Sequence, residues 1–143
     1  MKKVEIFTDG GCKGNPGPGG YGCIIKQNGD IREIKGGHPQ TTNTIMEMTA
    51  AIVALKQIQD PCEIKLTTDS QYVVKGVTEW MKGWIRNGWK TASRQPVKNQ
   101  ELWQELHELN QRHTITWIWV KGHNGHPENE RCDQLANEAI AEL

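Results

Sequence analysis

The amino-acid sequence predicts a single α/β domain in which helices pack on a mixed β-sheet. Five short segments have strand-like patterns, and longer segments place apolar residues at the three-to-four spacing of helices. The first three strands precede an alternation of helices and strands, which is typical of a mixed sheet flanked by helices. The length of 143 residues suits one adequate hydrophobic core. Because no repeat or linker interrupts the chain, we expect residues 1–143 to form one domain.

The predicted strands are short segments that alternate between apolar and polar residues or are mainly apolar. In chain order they lie at residues 3–8, 21–26, 31–35, 63–68 and 114–120. The glycine-rich residues 10–20 predict a long turn after the first strand, and Asn28-Gly29 predicts a tight hairpin between the second and third. The fifth strand is apolar on both faces through Ile115, Trp117, Ile118 and Trp119, which predicts burial on both sides.

The predicted helices are longer and carry apolar residues on one face. They lie at residues 44–59, 70–77, 100–111 and 127–143. Pro61 stops the first helix. Gly76 weakens the second, and Pro127 stands at the first turn of the last, where proline is favourable.

The composition excludes several classes of protein. No apolar run approaches the roughly 20 residues of a membrane-spanning helix, and Glu5 falls where a signal peptide would be apolar, so we expect a cytoplasmic protein. The four cysteines form no CxxC pair and no zinc-ligand spacing, and reduced thiols suit that compartment. They are Cys12, Cys23, Cys62 and Cys132.

The basic residues are unevenly distributed, although Lys+Arg and Asp+Glu both number 17. Residues 74–100 contain one acid, Glu79, and a set of cations that could meet nucleic-acid phosphates: Lys75, Lys82, Arg86, Lys90, Arg94 and Lys98. Trp80 and Trp84 are one helical turn apart in the same segment, so packing of one indole against the other is an alternative reason for their presence.

Four carboxylates stand where an α/β sheet collects functional groups. Asp9 and Asp69 end the first and fourth strands, while Glu47 and Asp133 border the buried faces of two helices. Carboxylates brought together in a partly buried place repel one another unless they are protonated or bind a cation. All-oxygen ligands suit Mg²⁺ or Mn²⁺.

Each carboxylate also has a local explanation that needs no site. Asp9 precedes glycine, as turn residues commonly do. Glu47 completes a capping box that begins at Thr44, Asp69 could cap the helix that follows it, and Asp133 could be a solvated helical acid.

The loop after the fifth strand carries His123, which is either a surface histidine or a mobile proton carrier beside the metals. Its pairing with His126 indicates zinc only weakly, because Gly125 and Pro127 prevent the helix that presents zinc ligands on one face. The glycine-rich residues 14–20 match no phosphate-binding motif, since they open a strand and lack Gly-Lys-Ser/Thr.

The carboxylates with their flanking residues resemble the cellular type 1 ribonuclease H family over essentially the whole chain. The matching segments are Thr8-Asp9-Gly10-Gly11-Cys12-Lys13-Gly14-Asn15-Pro16-Gly17, Met46-Glu47, Thr68-Asp69-Ser70-Gln71-Tyr72-Val73, Val120-Lys121-Gly122-His123 and Glu130-Arg131-Cys132-Asp133. The resemblance implies a ribonuclease H-like fold, a five-stranded mixed sheet flanked by helices on both faces. It also implies an endoribonuclease that hydrolyses the RNA strand of RNA–DNA hybrids, leaving 5′-phosphate and 3′-hydroxyl ends.

The same resemblance implies a catalytic set of Asp9, Glu47, Asp69, His123 and Asp133. The four carboxylates would bind two Mg²⁺ ions, with Mn²⁺ as a substitute, and His123 would assist proton transfer or product release. A monomer whose partner is the hybrid itself is expected.

Substrate contacts follow from the resemblance as well. Cys12, Asn15, Asn43 and Gln71 match positions that touch the minor groove of the hybrid, where 2′-hydroxyl groups distinguish RNA from DNA. Thr42 joins Asn43 in a pocket for a phosphate of the DNA strand. The segment from residue 80 to residue 90 resembles the family's basic protrusion, with contacts expected from Trp80, Lys82, Trp84, Arg86, Trp89 and Lys90.

Two alternative functions compete with this prediction. A related ribonuclease H-like nuclease or strand-transfer enzyme would share the acids but lack the Trp-rich basic segment. A non-catalytic nucleic-acid binding module would lack at least one of the four carboxylates, and here all four are present. The sequence departs from many relatives at Thr44 and Ile45, where those relatives have Asn and Arg.

Overall fold

The strands form one five-stranded sheet in the computed structural model, which describes residues 1–122 and 124–143. The strands are β1 (Lys3–Cys12), β2 (Gly17–Gln27), β3 (Asp30–Thr41), β4 (Glu63–Thr68) and β5 (Thr114–Trp119). Their order across the sheet is β3-β2-β1-β4-β5. β1, β2 and β3 pair antiparallel, whereas β4 lies parallel to both β1 and β5. The predicted mixed sheet is therefore confirmed.

The helical segments are α1 (Asn43–Lys56), α2 (Gln71–Lys75), α3 (Met81–Arg86), α4 (Gln100–Arg112) and α5 (Pro127–Ala141). A π-helical turn, Gly76–Trp80, joins α2 to α3, so the backbone stays helical through the glycine that was predicted to weaken it. Pro127 occupies the first turn of α5, as predicted.

Helices cover both faces of the sheet, as the neighbouring residues of β2 demonstrate. The Cys23 thiol donates to the carbonyl of Ala50 in α1, 3.1 Å away. A Cβ placed on Gly22 would instead come within 2.4 Å of the Cys132 carbonyl oxygen in α5. Because successive residues of a strand point to opposite faces, α1 and α5 lie on opposite sides. The missing side chain at Gly22 allows α5 to approach the sheet closely.

The larger hydrophobic core fills the side of the sheet that carries α1 and α4. Its fully buried large side chains include Trp103, Met48, Leu55, Ile64 and Leu106. A second, smaller cluster lies under α5 and consists of Phe7, Ile24, Cys132 and Leu135. All four cysteines are free thiols. Within residues 1–122 and 124–143, no helix has both the length and the apolar character to cross a membrane.

Two sequence-based predictions about the sheet were wrong. The predicted turn over residues 10–20 is largely strand, since β1 and β2 remain paired as far as Cys12 and Gly19. β5 is an edge strand and is open to solvent, with Trp119 43% exposed. Its apolar residues are not enclosed on both sides because α5 packs over β1, β2 and β3.

Candidate active site

Two aspartates meet where β1 and β4 run parallel. Thr8 and Thr68 are register partners, so Asp9 and Asp69, the next residues of their chains, emerge side by side. Asp133 reaches the same place from α5, which lies on the face of the sheet opposite to α1. The three aspartates line one cavity of about 280 Å³.

Glu47 approaches this group from α1 without lining that cavity. The charge of Asp69 acts on it, and the hydroxyl of Ser70 forms a hydrogen bond with it. The helix is held close to β1 because Gly10, the residue after Asp9, leaves room for the backbone of Met46 and Glu47. All four predicted carboxylates are thus close enough to interact, with Asp69 affecting both Asp9 and Glu47.

Burial and mutual repulsion favour the neutral form of two of these groups. Burial raises the pKa of Asp9 to about 9, aided by the charges of Asp69 and Asp133 and by hydrogen bonds with both. Burial also raises the pKa of Glu47 to about 7, with a contribution from Asp69, while the Ser70 hydrogen bond acts in the opposite direction. The protein alone therefore holds Asp9 protonated at neutral pH.

The local explanations for three of the carboxylates, Glu47, Asp69 and Asp9, do not describe the structure. Thr42, rather than Thr44, caps α1, accepting a hydrogen bond from the Ile45 N–H at 3.2 Å, so the predicted capping box is absent. Ser70, rather than Asp69, caps α2 through the Val73 N–H. Asp9 lies within β1 instead of in a turn.

Several predicted substrate contacts surround the cavity. Cys12 and Asn43 line it with the aspartates. The side-chain oxygen of Asn15 accepts a hydrogen bond from the Asn43 N–H at 3.1 Å, which ties the β1–β2 connection to α1. Thr42 is the helix cap next to Asn43, and Gln71 is exposed at the start of α2, two residues after Asp69.

The Trp-rich segment is anchored to the core by its aromatic rings. The centroids of Trp80 and Trp84 are 6.0 Å apart, and Trp84 lies 5.3 Å from the fully buried Trp103. The packing predicted for Trp80 and Trp84 is confirmed. Trp89 is half-buried nearby, its ring centroid 6.3 Å from that of His107.

The cations of this segment stand clear of the aspartates. Lys82, Arg86 and Lys90 are exposed, and none of them lines the cavity of the three aspartates. Lys90 and Arg94 instead line a separate open cavity of about 450 Å³ beyond α3. His123 lies outside the described residues.

The comparison with known sequences covers nearly the whole chain. The family described as RNase H matches residues 1–141. The chain belongs to the ribonuclease H family. A ribonuclease H from Hydrogenovibrio crunogenus is 58% identical over 143 residues, covering 100% of this chain and 99% of the relative. Another from Mesorhizobium japonicum is 59% identical over 140 residues, covering 98% and 79% respectively.

Solved ribonuclease H structures share the fold. LC9-RNase H1, a type 1 RNase H with the type 2 active-site motif, superposes with a TM-score of 0.88 at 34% identity, over 99% of this chain and 74% of that one. LC11-RNase H1, solved in complex with an RNA/DNA hybrid, gives a TM-score of 0.72 at 26% identity, over 97% of each chain. The predicted family and its fold are confirmed.

Some residues of this ribonuclease H site were missed by sequence reasoning. Lys13 and Asn137 line the cavity with the aspartates. The Asn137 amide donates to the Asp133 carbonyl at 3.1 Å and to its carboxylate at 3.4 Å. The four-residue spacing from Asp133 was the available signal for Asn137. No local sequence signal marks Gly10, because the close approach that it permits depends on where α1 packs.

Ribonuclease H family members generally use divalent metal ions, and the residues present suit such an ion. In the part of the chain that the structure describes, no three acidic, histidine or cysteine side chains are already arranged as a metal shell. The aspartates instead meet in pairs around Asp9. One carboxylate oxygen of Asp69, Oδ1, is buried and has no hydrogen-bond partner among the described residues. An unpaired buried oxygen among repelling carboxylates is the donor chemistry that a hard cation satisfies.

The metal-free protein is expected to lose stability as the pH rises. The pKa of Asp9 is 3.8 in the unfolded chain and about 9 in the folded protein, so the folded state holds the extra proton between these values. The stability that this proton contributes is fully present below the lower pKa and is lost as the pH rises through the higher one, a change on the order of several kcal/mol. Urea unfolding in chelator at about pH 5, 7 and 9 measures the slope, and Asp9→Asn should flatten it. An equal slope in wild type and Asp9→Asn would contradict the assignment.

Proposed function

We propose that this chain is an endonuclease that hydrolyses the RNA strand of RNA–DNA hybrids, and that residues 1–143 act as one ribonuclease H domain. Its products would carry 5′-phosphate and 3′-hydroxyl ends. The observation that carries the proposal is the convergence of Asp9, Asp69 and Asp133 in one solvent-accessible cavity of a ribonuclease H fold. A hybrid-bound relative, LC11-RNase H1, supports the choice of substrate.

The catalytic residues of the proposal are Asp9, Glu47, Asp69, Asp133 and His123. The four carboxylates would hold two Mg²⁺ ions, or Mn²⁺ in their place. When bound, such ions activate the attacking water and neutralise the charge that develops on the phosphodiester.

The chain's own groups prepare this arrangement. Asp9 releases its proton before its oxygens can act as ligands, because ligands must be deprotonated. Ser70 orients Glu47, and Asn137 holds the Asp133 carboxylate. His123 completes the set as the carrier of the proton for the leaving oxygen.

The hybrid would lie across the cavity and reach the Trp-rich segment. Asn15 and Asn43, joined by their hydrogen bond, would contact the minor groove together with Cys12 and Gln71. Thr42 and Asn43 would hold a phosphate of the DNA strand. On the far side, the substrate would meet Trp80, Lys82, Trp84, Arg86, Trp89 and Lys90. We also propose that the protein acts as a cytoplasmic monomer.

One comparison of substrates tests the function directly. The protein is incubated with an RNA–DNA hybrid, double-stranded RNA and double-stranded DNA, each with Mg²⁺ and with chelator. Cleavage of the hybrid's RNA strand alone, and only with Mg²⁺, is expected. Binding without cleavage would indicate a non-catalytic module, and cleavage of double-stranded DNA would indicate a related nuclease instead.

Replacing Lys82, Arg86 and Lys90 together by Gln is expected to weaken hybrid binding roughly 10- to 100-fold at low salt. The slope of log affinity against log salt should flatten by up to about 2.7, because each phosphate contact contributes about 0.9. Filter binding in Ca²⁺ over a series of salt concentrations measures both. Gln at Lys2, Lys3 and Arg112 removes the same charge from exposed positions at the other end of the sheet. Equal losses in the two triple variants would remove the Trp-rich segment from the substrate path.

A further inference from the structure

Trp119 connects the edge of the sheet to the candidate active site. It is the last residue of β5, and its indole N–H donates a hydrogen bond to the backbone carbonyl of Asp69 at 2.9 Å. The next residue, Val120, donates its N–H to the carbonyl of Thr68 at 3.0 Å and ends the pairing of β5 with β4. The indole hydrogen bond therefore extends the hydrogen bonding between β5 and the end of β4 by one residue, to Asp69.

The chain after Trp119 also passes close to the side chain of Asp69. A Cβ built on Gly122 would lie 2.8 Å from the carboxylate oxygen Oδ2 of Asp69. The residues that follow β5 therefore pass close to the Asp69 carboxylate, while Trp119 at the end of β5 binds its carbonyl. The other carboxylate oxygen, Oδ1, is the buried one that has no hydrogen-bond partner among the described residues.

The position of Asp69 affects the whole site. It lines the same cavity as Asp9 and Asp133, and it follows β4 where that strand runs parallel to β1. Asp69 also stands between the end of β4 and the Ser70 cap of α2, where neither the sheet nor the helix fixes it completely. A hydrogen bond to its backbone carbonyl there restrains the main chain from which the carboxylate extends.

We propose that Trp119 is a positioning residue, whose indole N–H fixes Asp69 so that its carboxylate faces Asp9 and binds the catalytic cation. The proposal rests on the proposed function, since it assigns a supporting role within the same site. Groups that orient a metal ligand in this way commonly change metal affinity or activity by about 10- to 100-fold when removed.

The same strand provides a matched control. Trp117 lies two residues earlier, on the same face of β5, and its indole N–H donates to the Asn110 side chain in α4, also at 2.9 Å. Trp119→Phe and Trp117→Phe each keep an aromatic ring and remove one indole hydrogen bond of equal length. Only the first bond ends on Asp69.

The test compares the two variants by kinetics and by cation binding. For Trp119→Phe we expect kcat to fall roughly 10-fold with KM for the hybrid unchanged, and the Kd for Mg²⁺, titrated by NMR without nucleic acid, to rise roughly 10-fold. Trp117→Phe should lower thermal stability at least as much and leave kcat and the Mg²⁺ Kd as in wild type. Wild-type values in Trp119→Phe, or equal losses in both variants, would overturn the proposal.

A second measurement needs no variant. In the unmodified protein, the indole N–H resonance of Trp119 should shift as Mg²⁺ is added, while that of Trp117 stays fixed. The proposal would also be overturned if the Trp119 resonance did not shift while the backbone amide resonances around Asp69 shifted to their Mg²⁺-saturated positions. If Trp119→Phe weakens Mg²⁺ binding in a protein that cleaves no hybrid, the positioning role stands and the proposed nuclease function fails.

Discussion

Asp69→Asn is expected to lower the rate of hybrid cleavage at least about 10³-fold, since it replaces a charged ligand whose charge acts on both Asp9 and Glu47. Hybrid affinity measured in Ca²⁺ should stay within about threefold of wild type, because the loss concerns the chemical step rather than substrate binding. Single-turnover cleavage with saturating enzyme separates the two quantities.

The same substitution should stabilise the metal-free protein. The charge of Asp69 raises the cost of ionising Asp9 and Glu47, and an amide relieves it. In chelator, we expect the Tm to rise by roughly 3–10 °C. Loss of activity with a gain in stability is what distinguishes a functional carboxylate from a structural one.

Asp30→Asn is the matched control, because it removes one carboxylate from the exposed start of β3, at the far end of the sheet. It should leave cleavage and Tm close to wild type. An Asp69→Asn protein that keeps more than about a tenth of the wild-type rate, or that unfolds at a lower temperature in chelator, would count against the assigned site.

Gly10→Ala is expected to destabilise the protein by about 2–3 kcal/mol and to slow cleavage by about 10²-fold. The added Cβ would come within 2.4 Å of the Met46 carbonyl group and 2.6 Å of the Glu47 backbone nitrogen. Backbone atoms cannot rotate away as a side chain can, so α1 must move and take Glu47 with it. Urea unfolding and single-turnover cleavage measure the two effects.

Gly11→Ala is the control for this substitution. A Cβ there meets no heavy atom of the described residues within 4 Å, although the position is the next in the same strand. We expect its unfolding free energy to stay within about 0.5 kcal/mol of wild type, so it is a control for stability. Similar losses at Gly10 and Gly11 would indicate a general requirement for glycine at the end of β1, independent of α1.

The sequence predicted the parts of the site that depend on local patterns. Strand alternation placed Asp9 and Asp69 near the ends of β1 and β4, and parallel pairing then brought them together. The helical position of Asp133 followed from its apolar neighbours in α5, whose first turn was marked by Pro127. These features are encoded within a few residues of each position.

The features that sequence reasoning missed depend on contacts between distant segments. The exposure of Trp119 follows from α5 covering β1 to β3, which no pattern within β5 reveals. The choice of Thr42 as the cap of α1 depends on where β3 ends, at Thr41. The bond from Trp119 to Asp69 joins residues 50 positions apart, and neither local sequence marks it.

The close approach of α5 to the glycines of β2 has a thermodynamic consequence. Asp133 reaches the other aspartates only while that helix is docked, so any ligand that bridges Asp133 to Asp9 also binds the docked form in preference to an opened one. Occupancy of the site and local unfolding of the C-terminal helix are then linked equilibria. Metal ions bound at the active site would therefore stabilise the docked position of α5.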